Sequence, residues 1–116
     1  MENGLLYRFL GKNMQLSVYE DRVELYKDFT GKRWTVPYSI INNVMFRQVS
    51  YENTGFIKVR AQGIMFDFVT YKFRSSDSHA DMQSVRSIMD AAKNEINKRV
   101  VAYRGLPENT SIITYY

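Results

Sequence analysis

Phe66-Asp-Phe-Val-Thr-Tyr-Lys-Phe-Arg-Ser-Ser-Asp-Ser-His-Ala-Asp-Met-Gln-Ser-Val-Arg-Ser-Ile-Met-Asp-Ala-Ala92 is the stretch in which the chain changes its hydrophobic period. Up to Phe73 apolar and polar residues roughly alternate, as a strand with one buried face requires. Beyond Ser75 the apolar residues Met82, Val85, Ile88, Met89, Ala92, Ile96 and Val100 recur three and four apart, which is one stripe of a helix. The spacing predicts a helix from about Asp77 to Tyr103. Ser75, Ser76, Asp77 and Ser78 are all suited to its N-cap, and Asp81 favours the positive end of its dipole. Arg99 and Arg104 suit its C-terminal end, Gly105 stops it and Pro107 prevents its resumption.

Everything before this switch reads as short strands. Leu5, Tyr7 and Phe9 alternate before Gly11, and Leu16 and Val18 alternate after it. Val23 and Leu25 face inward, with Arg22, Glu24 and Tyr26 outward. Asp28 to Lys32 forms a glycine-containing hairpin loop leading to Trp34 and Val36. Pro37 ends that strand because it has no amide for a ladder. Ile40, Ile41 and Val44 then take helical spacing, which predicts a single turn at a corner. Val44 and Phe46 resume alternation, and Glu52-Asn-Thr-Gly55 is a turn. Ile57, Val59 and Ala61 line one face of the next strand, with Phe56, Lys58 and Arg60 on the other. In the strand around Phe66 to Phe73 the apolar phase shifts between Phe68 and Val69, which predicts a bulge or bend. About seven strands followed by one helix predict a mainly β fold with one C-terminal helix: a strongly bent seven-stranded antiparallel sheet or barrel, capped by the helix. Residues 1–105 form this domain, and residues 106–116 are a β-prone tail.

Composition bounds the function. The chain has 116 residues, of which 45% are hydrophobic, so it holds one domain with an adequate core. Sixteen Lys and Arg against twelve Asp and Glu leave a net charge of +4. That excess permits nucleic acid or an anionic membrane face as a partner but demands neither. With no cysteine there are no disulfides, thiolate metal sites or cysteine nucleophiles. The opening stretch, with an acidic Glu2 and little apolar length, fits neither a secretory signal nor a spanning helix, so the cytoplasm is the expected location.

Gly11-Lys-Asn-Met-Gln-Leu-Ser-Val-Tyr-Glu-Asp-Arg-Val-Glu-Leu25, Gly31-Lys-Arg-Trp-Thr-Val-Pro-Tyr-Ser-Ile-Ile41 and Asn53-Thr-Gly-Phe-Ile57 resemble bacterial pleckstrin-homology-like (PH-like) domains. The shared pattern is a strand hairpin with an acidic turn, a basic residue before an apolar-Pro-polar corner, and a Gly-aromatic-Ile strand start. The resemblance covers roughly Phe9 to Ile96. It implies a non-enzymatic domain, bacterial or carried by a mobile element, that forms oligomers or recruits partners. Two features depart from the pattern. Only Arg8 and Lys12 sit near the first hairpin loop, where inositide-binding relatives concentrate several cations, and the second C-terminal helix of longer relatives is replaced by the tail.

Catalytic chemistry finds little purchase. His79, the single histidine, sits beside Ser78 and Asp81, but helix capping accounts for those residue types at that place. One histidine among scattered carboxylates is not a metal ligand set, and no phosphate-cradling glycine motif occurs. No catalytic residue, cofactor, metal or small-molecule substrate is therefore expected. The sharper constellation is basic. If the segments Val44 to Ser50 and Phe56 to Gln62 pair as a hairpin, Arg47, Lys58 and Arg60 share an outward face with Val49 and Phe56. Asp67 or a partner's anion would then offset the like charges. Tyr19 and Tyr26, outward on adjacent strands, and the tail residues Ile113, Tyr115 and Tyr116 are further contact candidates. The apolar tail, with Ile112, is expected to add to a sheet edge, either of its own chain or of a neighbouring subunit, the neighbour being somewhat favoured. The leading expectation is a non-catalytic module for protein–protein contact or homo-oligomerisation. The alternative is a small inhibitor or adaptor that docks on a nucleic-acid-handling protein through the basic sheet face.

Overall fold

A computed structural model describes residues 4–74 and 76–116; Glu2 and Ser75, to which the sequence assigned roles, lie outside the described residues. The protein is mainly β with one C-terminal helix. Strands β1 (Leu5–Gly11), β2 (Met14–Tyr19), β3 (Arg22–Lys27) and β4 (Arg33–Pro37) form an antiparallel meander. Strands β5 (Ile41–Arg47), β6 (Phe56–Ala61) and β7 (Ile64–Val69) form a second one. Helix α1 (His79–Arg104) follows, and β8 (Ile113–Tyr115) then returns to lie beside β5, giving the order β7-β6-β5-β8. The expected single seven-stranded bent sheet or barrel is thus two four-stranded sheets, not closed into a barrel, with the tail supplying the eighth strand.

The single turn expected at the corner forms, but Ile41 and Val44, read with it, already belong to β5. Pro37 ends β4, and Tyr38–Ile40 makes one 3₁₀ turn before β5. Tyr38 is wholly buried under α1, with its ring 5.8 Å from that of Tyr103 and its hydroxyl donating to the Tyr19 carbonyl at 2.7 Å. Burial drives the Tyr38 phenol well above its ordinary pKa, against a smaller opposing effect of the Arg99 charge. The native state therefore keeps a proton that the unfolded chain releases at about pH 10, so stability falls as pH rises beyond that point. The expected slope is about 1.4 kcal/mol per pH unit, and it should flatten in Tyr38→Phe. At neutral pH the same variant should lose about 1–3 kcal/mol, because it leaves a buried carbonyl without its donor. Denaturant titrations at pH 7 and pH 11 check both.

At the opposite side the two sheets touch through backbone. Lys12 N–H donates to the Val69 carbonyl at 2.8 Å, and buried Gly11 lies against Val69 and the Phe68 ring. The Phe68 ring also takes the edge of Phe9 at 4.9 Å. The core runs from Leu16, Val18, Val23, Leu25 and Val36 of the first sheet to Val44, Phe46, Ile57, Val59, Phe66 and Phe68 of the second. Met89, Ala92, Ile96 and Val100 of α1 and Ile112 of the tail complete it.

Three expectations need correction. The phase change after Phe68 is the end of β7, not a bulge: the β6–β7 register is unbroken to Val69, and the irregularities fall in β1 and at the start of β5. Thr70 still meets Gly55, its N–H donating to the Gly55 carbonyl at 2.9 Å, but its Oγ1 accepts the Gly55 N–H at 2.8 Å in place of its own carbonyl, and residues 71–73 form no ladder. On α1, Ile88 is 41% exposed, while Lys93 and Val101 are buried. The helix packs on the sheets over one side only until the tail closes against it, which widens the buried stripe near its C-terminal end. The tail, finally, adds to a sheet of its own chain, parallel to β5, with Val44 opposite Ile113 and Phe46 opposite Tyr115. Its intramolecular partner is close because the helix ends beside the start of β5, where Arg104 Nη1 donates to the Ile41 carbonyl at 3.0 Å.

The helix termini follow their caps. Ser78 Oγ accepts from Asp81 N–H at 3.3 Å. Gly105 adopts the left-handed conformation with φ 65°, and Leu106 N–H closes back on Val101 O at 2.9 Å.

Candidate functional site

The outer face of the second sheet brings the predicted basic residues together. In the β5–β6 ladder Arg47 lies opposite Phe56, Met45 opposite Lys58, and Asn43 opposite Arg60. Since side chains alternate across a strand, these residues share the side away from the core. On the far side of β6, Lys58 faces Asp67 and Arg60 faces Met65. The opposite-charge cross-strand position expected for Asp67 is therefore present. Phe56 is the centre of the group. The Arg47 guanidinium stands 4.8 Å and the Lys58 ammonium 4.6 Å from its ring centroid. The Tyr116 ring lies 5.9 Å away, and its hydroxyl points at Met45 Sδ at 3.4 Å. Phe56 is only 8% exposed because these chains cover it, although it sits on the outer face.

Within that group the cations are held unequally. Arg47 is fixed by Nε and Nη2 donating to the Thr54 carbonyl at 2.8 Å and hydroxyl at 3.1 Å. Arg60 is exposed and Met65 is 61% exposed beside it. The face thus offers a rigid arginine, a half-buried lysine over the Phe56 ring and an exposed arginine, flanked by Met65 on one side and Tyr116 on the other. Such a surface suits an acidic partner carrying an apolar anchor. Val49 does not belong to it. β5 ends at Arg47, and Val49 turns into the interior, fully buried, with its carbonyl accepting from Arg86 Nη1 at 2.7 Å. The alternation used to place Val49 outward stops where the ladder stops.

Tyr19 and Tyr26 lie on the outer face of the other sheet, and only Tyr26 is partly accessible. Tyr19 is 3% exposed, covered by the Arg22 guanidinium at 3.9 Å from its centroid and bonded through its hydroxyl to Arg8 Nη2 at 3.2 Å. The outward side of a strand is here covered by the sheet's own arginines. Tyr26 has Arg33 above its ring at 5.2 Å. Both arginines converge on Glu24, which is 7% exposed: Arg22 Nε meets Oε2 and Arg33 Nη1 meets Oε1, each at 3.1 Å, while Thr35 donates to Oε1 at 3.3 Å. Sequence reading placed Arg22, Glu24 and Tyr26 outward but missed the network. Arg33 and Thr35 join it only once β3 and β4 are set in register.

Of the tail residues, Tyr115 and Tyr116 take opposite sides of β8. Tyr116 joins the Phe56 group, whereas Tyr115 packs its ring edge-on to Phe46 at 5.9 Å on the helix side. Lys93 of α1 lies between those two rings, 4.8 Å from the Phe46 centroid and 5.0 Å from that of Tyr115, with Asp90 Oδ1 at 3.2 Å. Its pKa stays above the ordinary lysine value: burial, which alone would lower it, is outweighed by hydrogen bonds to Tyr115 and Asp90. Ile113 packs against the core rather than outward.

His79 is directed away from a nucleophile arrangement. Its Nδ1 lies 3.1 Å from the Tyr51 hydroxyl and its Nε2 3.4 Å from Gln83 Nε2, while Ser78 caps the helix. Among the described residues no cluster of three or more metal-ligating side chains occurs, and no helix is long and apolar enough to cross a membrane. No protein-family model matches the chain, and no curated protein matches it.

Proposed function

We propose that this protein is a non-catalytic PH-like binding and assembly module that engages a protein partner, or further copies of itself, through the outer face of β8-β5-β6-β7. The observation that carries the reading is Phe56 held beneath Arg47, Lys58 and Tyr116, with Arg60 and Met65 exposed alongside. An antiparallel four-stranded meander and a second sheet, antiparallel except for the parallel β8, joined at a corner and covered by one helix, support the PH-like part of it, together with the sequence resemblance. Aromatic, arginine and methionine side chains are the types that interfaces concentrate. An acidic surface is the complement.

Light scattering on the full chain tests this. Reversing two charges in Lys58→Glu/Arg60→Glu should weaken association about tenfold or more, since like-charge juxtaposition costs several kcal/mol. Wild-type association should also weaken from about 50 to 500 mM salt, as screening shortens the reach of exposed charges. Association unchanged by either treatment would remove the face from the proposal. The alternative, an inhibitor or adaptor on a nucleic-acid-handling protein, uses the same residues. A steep salt slope with added oligonucleotide competing would favour it.

A further inference from the structure

Thr110 to Tyr116 lies extended in a groove between β5 and α1, and much of its grip is on backbone. Asn97 of α1 accepts Ile112 N–H on Oδ1 at 2.7 Å and donates from Nδ2 to the Thr110 carbonyl at 3.1 Å. Asn43 of β5 donates from Nδ2 to the Ile112 carbonyl at 2.8 Å and to Thr114 Oγ1 at 3.0 Å. Val44 N–H donates to the same Ile112 carbonyl at 3.0 Å, and Tyr116 N–H donates to Phe46 O at 2.8 Å. Backbone contacts of this kind accept any extended segment, and the side-chain positions then select among them. Those positions ask for an isoleucine in the core, where Ile112 is 8% exposed, and an aromatic ring three residues later, where Tyr115 closes over Lys93.

The resident strand is nonetheless short. β8 spans three residues, Tyr115 and Tyr116 are 62% and 66% exposed, and residues 106–111 between it and the helix form no regular element. A short terminal element of this kind opens at a lower free energy than the domain as a whole. When this one opens, Asn43, Asn97 and the β5 edge lose the backbone partners it supplies, and Lys93 loses the Tyr115 ring. Only a segment with the same backbone and side-chain pattern satisfies all of them again.

We propose that the β5–α1 groove is a strand-accepting site that exchanges its resident segment 110–116 for the same segment of a second copy, making a reciprocal pair. This rests on the assembly reading and names a second surface for it. The resident competes as an intramolecular ligand at an effective concentration of about millimolar. Weakening the resident alone should therefore strengthen binding in trans, the opposite of what damage to a binding site does.

The probe is a fluorescent peptide of residues 109–116, titrated against full-length chains. Ile113→Ala/Tyr115→Ala, which changes the resident and leaves the groove intact, should bind it at least tenfold more tightly than wild type. Adding Asn97→Ala to that variant should abolish the gain. A chain carrying Met45→Cys/Thr114→Cys, whose positions are register partners on adjacent strands, can lock the resident in place when oxidised. It should bind peptide only after reduction. No binding to the folded Ile113→Ala/Tyr115→Ala chain overturns the proposal. If that variant unfolds by circular dichroism, the cysteine pair decides: equal binding, or none, in both redox states overturns it. Salt-sensitive association of wild type through Lys58 and Arg60 would survive either result, so the two readings fail separately.

Discussion

Gly11→Val is expected to be among the most damaging single substitutions in the protein, with a loss of about 3 kcal/mol or more and a melting temperature lower by about 10 °C or more. The cause is space rather than backbone freedom. A Cβ at Gly11 would overlap the Val69 carbonyl oxygen and sit 2.6 Å from the Phe68 ring. The oxygen is backbone and already accepts from Lys12 N–H, so it cannot step aside without breaking that bond. Phe68 is fully buried and braced by Phe9. The two sheets would have to separate along the seam where Lys12 and Val69 join them backbone to backbone. Thermal unfolding followed by circular dichroism measures this. Gly31→Ala is the informative control, because open space surrounds Gly31 and only its positive φ of 69° resists a side chain. It should cost about 1 kcal/mol. Equal melting temperatures for Gly11→Val and wild type would mean the seam is not packed this way.

Removing residues 106–116 is expected to have a comparable effect, near 3–5 kcal/mol, and to change the sign of a simple assembly experiment. Deletion takes Ile112 from the core and uncovers Val44 and Phe46, both almost fully buried in the intact chain. It also leaves Lys93 without the Tyr115 ring and Asn97 without its two backbone partners. A tail that merely bridged neighbouring copies would leave a well-behaved monomer when removed. A tail that fills its own sheet edge leaves a sticky one. The truncated chain should melt at a lower temperature, bind a hydrophobic dye and scatter more light than the intact chain. A stable monomer with unchanged melting would contradict the place of β8 in the second sheet.

Much of this architecture was legible residue by residue. Alternation placed the inward faces of β2 to β6, because one buried side imposes a period of two on any strand that lies at a surface, whereas in β1 the irregularity between Leu5 and Tyr7 breaks it. The corner at Tyr38–Ile40 and the ends of α1 at Ser78 and Gly105 were readable for a similar reason. Proline, serine and glycine act on their own backbone within a few residues, so their effects need no distant partner. The shared face of Arg47, Lys58 and Arg60 could be inferred as soon as β5 and β6 were paired through a short turn.

What failed to read was what depends on partners far along the chain. Val49 looked outward by parity, but parity holds only inside a ladder, and the ladder ends at Arg47. Tyr19 looked accessible until Arg8 and Arg22, brought over it by two different strand pairings, covered its ring and bound its hydroxyl. Lys93 falls outside the apolar stripe that local spacing gives α1. It is buried because the tail returns to β5 and sets Tyr115 across it, a contact between residues that nothing in local spacing relates. Preference for strand, helix or turn and the apolar side of most elements follow from local sterics and solvation, and so from the order of residues alone. The division of the strands into two sheets and the pairing of segment 110–116 with β5 of the same chain emerge only in the folded state. Those choices compare long-range contacts, and their energies exist only once distant residues have been brought together.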